Sequence, residues 1–274
     1  MTRHGTFPRH HGARERRPTS ACRCRGRERG GPPPEVCLGL SAGAAAGPPQ
    51  QKRDPLGRFL PPQQAMELLV FGASGKTGRQ VVEQALSRHH VVRAFVRQPA
   101  KLALDHPNLS TVRGDIEDAT AVKRALVGQQ TVISCLGAPS PFRRYPALTD
   151  GIRCILAALS GTPSTRFIYQ SFLGVPGGRH QLRFPFKQVV QVVLRGAIAD
   201  HAANEAHIRA SGLAWTIVRA PKLTTGPARA HYQTGEHIQA TNRFPTMPRA
   251  DVAAFMLDEA ERNEFVKRTP AILP

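Results

Sequence analysis

Residues 66–78 read Met-Glu-Leu-Leu-Val-Phe-Gly-Ala-Ser-Gly-Lys-Thr-Gly, a short apolar run stopped by three glycines spaced G-x-x-G-x-x-G. Leu68 to Phe71 are too few for a helix and continuously apolar, as expected of a parallel strand buried on both faces. Gly72 permits a sharp turn, Gly75 leaves backbone bare, and Gly78 lets the next helix pack close to the strand. A helix over about residues 77–87 would then point its first N–H groups and positive dipole end at an anion such as a dinucleotide pyrophosphate. The competing reading is a glycine turn without a ligand. Gly75-Lys76-Thr77 also resembles the end of a nucleoside-triphosphate P-loop, but that pattern needs glycine at position 70, where Val70 stands.

Outward from this stretch, apolar runs alternate with helical patterns, which predicts a single doubly wound α/β domain with a parallel sheet over residues 66–274. The expected strands are Val91 to Val96, Ser110 to Val112, Thr131 to Leu136, Arg166 to Tyr169 and Trp215 to Val218. Helices are expected from Ala119 to Leu126 behind an Asp118 cap, from Ala147 to Leu159, and from about Phe186 to Ser211. Asp251 is expected to cap a helix reaching about Arg262, and Pro270 to Leu273 to form an edge strand. Right-handed crossovers would place ligand at the carboxyl ends of the strands. Gly72, Arg97, Asp115, Gly137 and Ser171 all fall there, a convergence that packing alone does not explain.

The end of the second strand decides the form of the nucleotide. An acidic residue there commonly binds the adenosine ribose hydroxyls. This chain has Phe95-Val96-Arg97 with Lys101 beyond, and no acid until Asp105. An arginine fork suits a 2′-phosphate, so NADP(H) is favoured over NAD(H), with Arg79 as a possible second charge. A solvated surface arginine is the alternative for Arg97. Asp115 would receive the adenine amino group, or else serve as a turn or cap residue.

The 274 residues carry a net charge of +19, which raises nucleic acid or an anionic membrane as partners. The charge is uneven. Residues 1–65 hold 12 of the 38 Lys and Arg, 4 of the 19 acidic residues and 10 of the 24 prolines. They show no sustained period and are expected to be a disordered basic tail. Three readings stay open for it: an organelle-targeting peptide, a nucleic-acid-binding arm, or an over-long reading frame ahead of a start at Met66. Only Phe7 and Phe59 stand among its basic residues, too few for a stacking surface, so nucleic acid is disfavoured as a partner. No run of eighteen apolar residues exists and no signal-peptide pattern is present, so no membrane span and a cytoplasmic protein are expected. Cys22 and Cys24 lack a second ligand pair, and no metal is expected. Cys135 and Cys154 sit in apolar runs and read as buried free thiols.

The set Gly72-x-x-Gly75-x-x-Gly78, Val96-Arg97, Gly114-Asp115-Ile116, Ser134-Cys135-Leu136-Gly137 and Ser211-Gly212-Leu213-x-Trp215-Thr216 resembles the atypical short-chain dehydrogenase/reductases. The resemblance covers residues 66–274 and is strongest to the NAD(P)H-binding subset of the biliverdin reductase B (flavin reductase) and NmrA-like proteins. It implies a Rossmann fold of seven or eight parallel strands with a small substrate pocket above the nicotinamide. Carried over by position, it implies that Gly72, Ser74, Gly75, Lys76, Thr77 and Gly78 hold the pyrophosphate. Arg97 would meet the 2′-phosphate, Asp115 the adenine, Leu136 and Gly137 the ribose side, and Pro221 the nicotinamide pocket. Ser171 would be the active-site serine following the fifth strand.

The chain departs from ordinary short-chain dehydrogenases in lacking Tyr-x-x-x-Lys. Four residues beyond Tyr145, Tyr169 and Tyr232 stand Thr149, Leu173 and Glu236. What survives is hydride delivery to a planar small-molecule acceptor, such as a flavin, quinone or tetrapyrrole, that takes its proton from water. Ser171 would orient that acceptor, or merely cap a turn. His201 would donate a proton near neutral pH, although His201 and His207 also read as surface residues. Glu205 reads as a pairing residue, and Val189 to Leu194 as core or as a pocket wall. A non-catalytic NADP(H)-sensing regulator is the alternative function, and a nucleic-acid-binding protein led by the tail is a further rival.

Overall fold

The computed structural model describes residues 64–274, apart from Pro139, Pro163 and Pro185 and the side chains of Phe186, Lys187 and Val189. The expected basic tail therefore lies outside the described residues, save its last two positions.

Among the described residues, ten strands and six α-helices follow one another. In order they are β1 (Glu67–Phe71), α1 (Lys76–Ser87), β2 (Val91–Val96), β3 (Leu109–Arg113), α2 (Ala119–Leu126), β4 (Thr131–Ser134), α3 (Pro146–Leu159) and β5 (Arg166–Phe172). Then follow α4 (Phe186–Val193), α5 (Arg195–Ala210), β6 (Ala214–Ala220), β7 (Lys222–Thr224), β8 (Gln233–Gly235), β9 (Thr246–Pro248), α6 (Arg249–Arg262) and β10 (Ala271–Leu273). The main sheet has eight strands in the order β3-β2-β1-β4-β5-β6-β10-β8, and β7 pairs with β9 in a small second sheet. Strand order reverses between β1 and β4, so the connections from β1 and β4 leave a crevice at that point.

Alternate residues of each central strand feed opposite faces. Leu68 and Val70 join Val81, Ala85, Val252 and Met256 under α1 and α6. Leu69 and Phe71 join Val122, Ile152, Ile155 and Ile208 under α2, α3 and α5. Both faces are covered, which is why β1 is continuously apolar from Leu68 to Phe71 rather than alternating.

Four expectations need correction. The strand at the C-terminus is not an edge: β10 runs parallel to β6 and antiparallel to β8, so the sheet is parallel except for β8. The helical region 186–211 is broken at Leu194, where Gly196 sits so close to the Arg143 backbone that a Cβ would stand 2.5 Å from it. Asp251 does not cap α6, whose N-cap is Pro248. It lies in the first turn, 1% exposed, and accepts hydrogen bonds from the Arg229 and Ala230 backbone N–H groups. Ser171 lies within β5, not beyond it, because that strand runs on to Phe172 beside β6.

Candidate active site

The turn after β1 is built as its glycines require. Gly72 has φ +76°, and a Cβ there would stand 2.9 Å from the Cys135 carbonyl oxygen on the neighbouring strand end. The Gly75 N–H donates to the Gly72 carbonyl at 2.9 Å, closing the turn. A Cβ on Gly78 would stand 2.1 Å from that same carbonyl oxygen, so α1 is pressed directly against the loop. Gly75 is the N-cap of α1 and supplies no side-chain hydrogen bond to its first turn. The first N–H groups of α1 are thus left for a ligand.

Two cavities meet here, at the carboxyl ends of the strands. The smaller, about 300 Å³, is lined by Gly72, Ser74, Gly75, Arg97, Asp115, Leu136 and Gly137. The larger, about 400 Å³, is lined by Gly75, Lys76, Thr77, Ser171, His201 and Pro221. Gly75, Cys135, Leu136, Gly137 and Leu148 belong to both, so the cavities form one groove over the crevice. Every expected site residue therefore lines the groove except Gly78, which shapes it from beneath. Lys222 and Arg249 add positive charge beside Lys76 in the larger cavity, and neither was singled out in the sequence.

Some partners differ from expectation. Arg79 is held by Glu83 at 2.8 Å on the same helix, so its charge is already engaged. Arg97 is exposed at the mouth of the smaller cavity. Asp115 both lines that cavity and accepts from the Glu117 N–H at 3.2 Å, a turn bond. Among α4 and its flank, Val190 is buried, Val192 and Val193 are exposed, and Leu194 lines the larger cavity.

Ser171 is 2% exposed and its hydroxyl donates to Glu205 Oε1 at 2.7 Å. Glu205 is gripped by Arg219 at 2.7 and 3.1 Å and by Arg209 at 2.6 Å. Burial alone would raise the Glu205 carboxyl, but the hydrogen bonds and charge of Arg219, with help from Ser171 and Arg209, bring it below the usual carboxylate value. Ser171 is thus fixed on the carboxylate of a buried ion pair, whose lowered pKa makes it a poor base for the hydroxyl. Tyr169 and Asn204 are the main residues the sequence did not reveal. Asn204 donates to the Tyr169 hydroxyl at 3.0 Å, and that hydroxyl is 2.8 Å from His201 Nδ1. Burial raises the Tyr169 phenol far above its ordinary value and lowers His201 below its own. An Asn three residues after a His on one helix was the available signal; Tyr169 reads simply as core.

The donor set fits a nicotinamide dinucleotide. Bare backbone at Gly72 and Gly75, an uncapped helix end and nearby cations suit a pyrophosphate, and a Cβ on Gly137 would meet nothing within 4 Å. Among the described residues there is no group of three or more His, Cys, Asp or Glu able to hold a metal ion. No helix among them is long and apolar enough to cross a membrane.

A mainly parallel sheet in this strand order, with a glycine turn and a bare helix end facing the switch point, defines a dinucleotide-binding Rossmann protein. The chain belongs to the NAD(P)H-binding family, whose model matches residues 72–263.

Among curated relatives, an uncharacterized chloroplastic protein of Arabidopsis thaliana is 31% identical over 170 residues, 59% of this chain and 60% of that protein. The chain thus spans about three fifths of that relative's length. A candidate NADH-flavin reductase of Streptococcus pneumoniae superposes with a TM-score of 0.61 at 24% identity, over 76% of this chain and 99% of its own. An anaerobillin reductase of Escherichia coli O157:H7 gives 0.60 at 22%, over 75% and 96%. These structural likenesses concern the fold.

Proposed function

We infer that the protein is an NAD(P)H-dependent oxidoreductase that takes NADPH in preference to NADH and reduces a planar conjugated acceptor. The single observation that carries this reading is the continuous groove, with bare backbone and Arg97 at one end and the Ser171 and His201 walls at the other. Bound NAD(P)H would supply the hydride. The chain's own part is to hold and to exclude. The α1 N-terminus with Lys76 and Thr77 would hold the pyrophosphate, and Arg97 a 2′-phosphate. Asp115 would take the adenine amino group, and Leu136, Gly137 and Pro221 would flank the ribose and nicotinamide.

No lysine stands four residues beyond a tyrosine, and Tyr169 is a weaker acid than a free phenol, so alcohol–ketone chemistry by a tyrosine acid is disfavoured. An acceptor that draws its proton from water fits better. The structural neighbours named for flavin and anaerobillin reduction agree in substrate type.

Loss of NADPH absorbance with riboflavin, menadione or biliverdin tests the activity. Turnover of at least one is expected; cofactor binding with no turnover across the panel would put the NADP(H) sensor in its place. For the cofactor form, Arg97→Glu is expected to weaken NADPH at least about tenfold more than NADH. Equal losses would remove Arg97 from that role.

A further inference from the structure

The rim of the larger cavity carries apolar side chains turned outward. Phe142, Phe184, Val192 and Val193 are between 44% and 75% exposed. Two of them adjoin lining residues: Phe142 follows Pro141, and Val193 precedes Leu194. The Ala197 N–H donates to the Pro141 carbonyl at 3.2 Å, which holds the Phe142 segment against the start of α5. Val190 is buried beneath α4, and Val192, two residues on, projects from the opposite side of the helix. The eight residues of α4 rise only about 12 Å, which keeps Phe184, two residues before it, near the same rim.

Charge on this face has one sign. Residues 137–149 and 173–199 hold six Lys and Arg and no Asp or Glu. Arg143, Arg183 and Arg195 are exposed beside the apolar side chains. The next acid along, Asp200, is buried and engaged by Arg144 at 3.2 Å and the Tyr145 N–H at 2.7 Å. Apolar groups set among cations match an anionic bilayer surface, where acyl chains cover the one and headgroup phosphates pair with the other. A second copy would set the same cations face to face, and the chain's first 65 residues are basic too. A nucleic acid would match the charge and leave Phe184 and Val192 in water. We propose that Phe142, Phe184, Val192 and Val193, among their arginines, dock the protein on an anionic phospholipid surface. The larger cavity then opens at the lipid, and an acceptor dissolved in the bilayer reaches the groove without crossing water. Docking stands apart from the reductase reading; only this delivery rests on it.

The experiment sediments the full chain with vesicles of phosphatidylcholine, alone or with about 30% phosphatidylglycerol. Binding is expected to the anionic vesicles. A double variant, Phe184→Ser with Val192→Ser, should lower that partition roughly tenfold or more at unchanged charge. A second readout separates this face from the basic first 65 residues, which attract anionic lipid by charge alone. Val192→Trp sets an indole on the face, and brominated lipid is expected to quench it while sparing the buried Trp215 of the unaltered chain. Equal partition of the double variant and the unaltered chain overturns the proposal, since charge alone would then hold the vesicles. So does a Val192→Trp indole that brominated lipid leaves bright. Delivery is read as NADPH oxidation by menaquinone held in the anionic vesicles. It should fall with the partition in the double variant, while water-soluble menadione turns over unchanged. An equal loss on menadione overturns the delivery. No turnover with either acceptor strikes the reductase reading, and leaves docking to be decided by partition and quenching.

Discussion

Gly78 and Glu205 are held by opposite means, one by the space it leaves empty and the other by the charges around it. A methyl at Gly78 would collide with the Gly72 carbonyl, a backbone atom that cannot swing aside. Gly78→Ala is expected to cost about 1–3 kcal/mol in urea unfolding; an unchanged midpoint would mean the helix can retreat. Removing Glu205 strands Arg219, itself 4% exposed. Glu205→Ala should cost about 3–5 kcal/mol, far more than loss of an exposed pair. Acidity acts on the same cluster. His201 and Glu205 both titrate below their ordinary values, so the unfolded chain binds more protons as pH falls. The histidine contribution is complete above its ordinary 6.5 and is lost as pH falls from there through its lowered folded value. The Glu205 contribution persists until pH reaches the carboxylate range, then falls through its lowered folded value. His201→Gln should flatten the decline in melting temperature between about pH 7 and 5 while leaving the steeper acid limb; an unaltered upper limb would locate the titration elsewhere.

At the scale of elements, α2 is the best case of a local signal fulfilled. Asp118 Oδ1 accepts from the Thr120 and Ala121 N–H groups at 2.9 and 3.1 Å, as a cap before an apolar run should. Asp118→Ala should therefore lower stability by about 1 kcal/mol, readable as a melting shift of a few degrees; no shift would make the cap redundant. The strands β1, β2 and β4 were nearly as legible, since short runs rich in apolar and β-branched residues, stopped by glycine or a charge, have few alternatives. What the sequence hid was decided by partners distant in the chain. Gln233–Gly235 has no apolar pattern, so the strand that covers β10 was invisible, and β10 was read as an edge. The break at Leu194 arises where Gly196 meets the Arg143 backbone, a partner the local pattern does not announce. Asp251 sits where a cap would, yet its carboxylate serves the 229–230 loop. The groove followed from strand ends and glycine spacing. The Tyr169–His201–Asn204 chain did not, because a tyrosine inside an apolar strand looks like packing until a helix is laid across it.

For the whole molecule, the groove joins both sides of the sheet's switch point, so filling it should brace the fold. NADP(H) at about a hundred times its Kd is expected to add about 2.7 kcal/mol to unfolding, provided the unfolded chain does not bind it. A gain with NADPH and none with adenosine alone would place the stabilisation across both cavities; equal gains would confine it to the smaller. One atom in that groove has a wider meaning. Cys135 lines both cavities, and burial pushes its thiol up to about 12. At neutral pH only about one such sulfur in a hundred thousand is ionised, and the thiolate is the form that attacks carbon. A conjugated electrophile that entered the groove would therefore meet a neutral thiol there and escape capture by it.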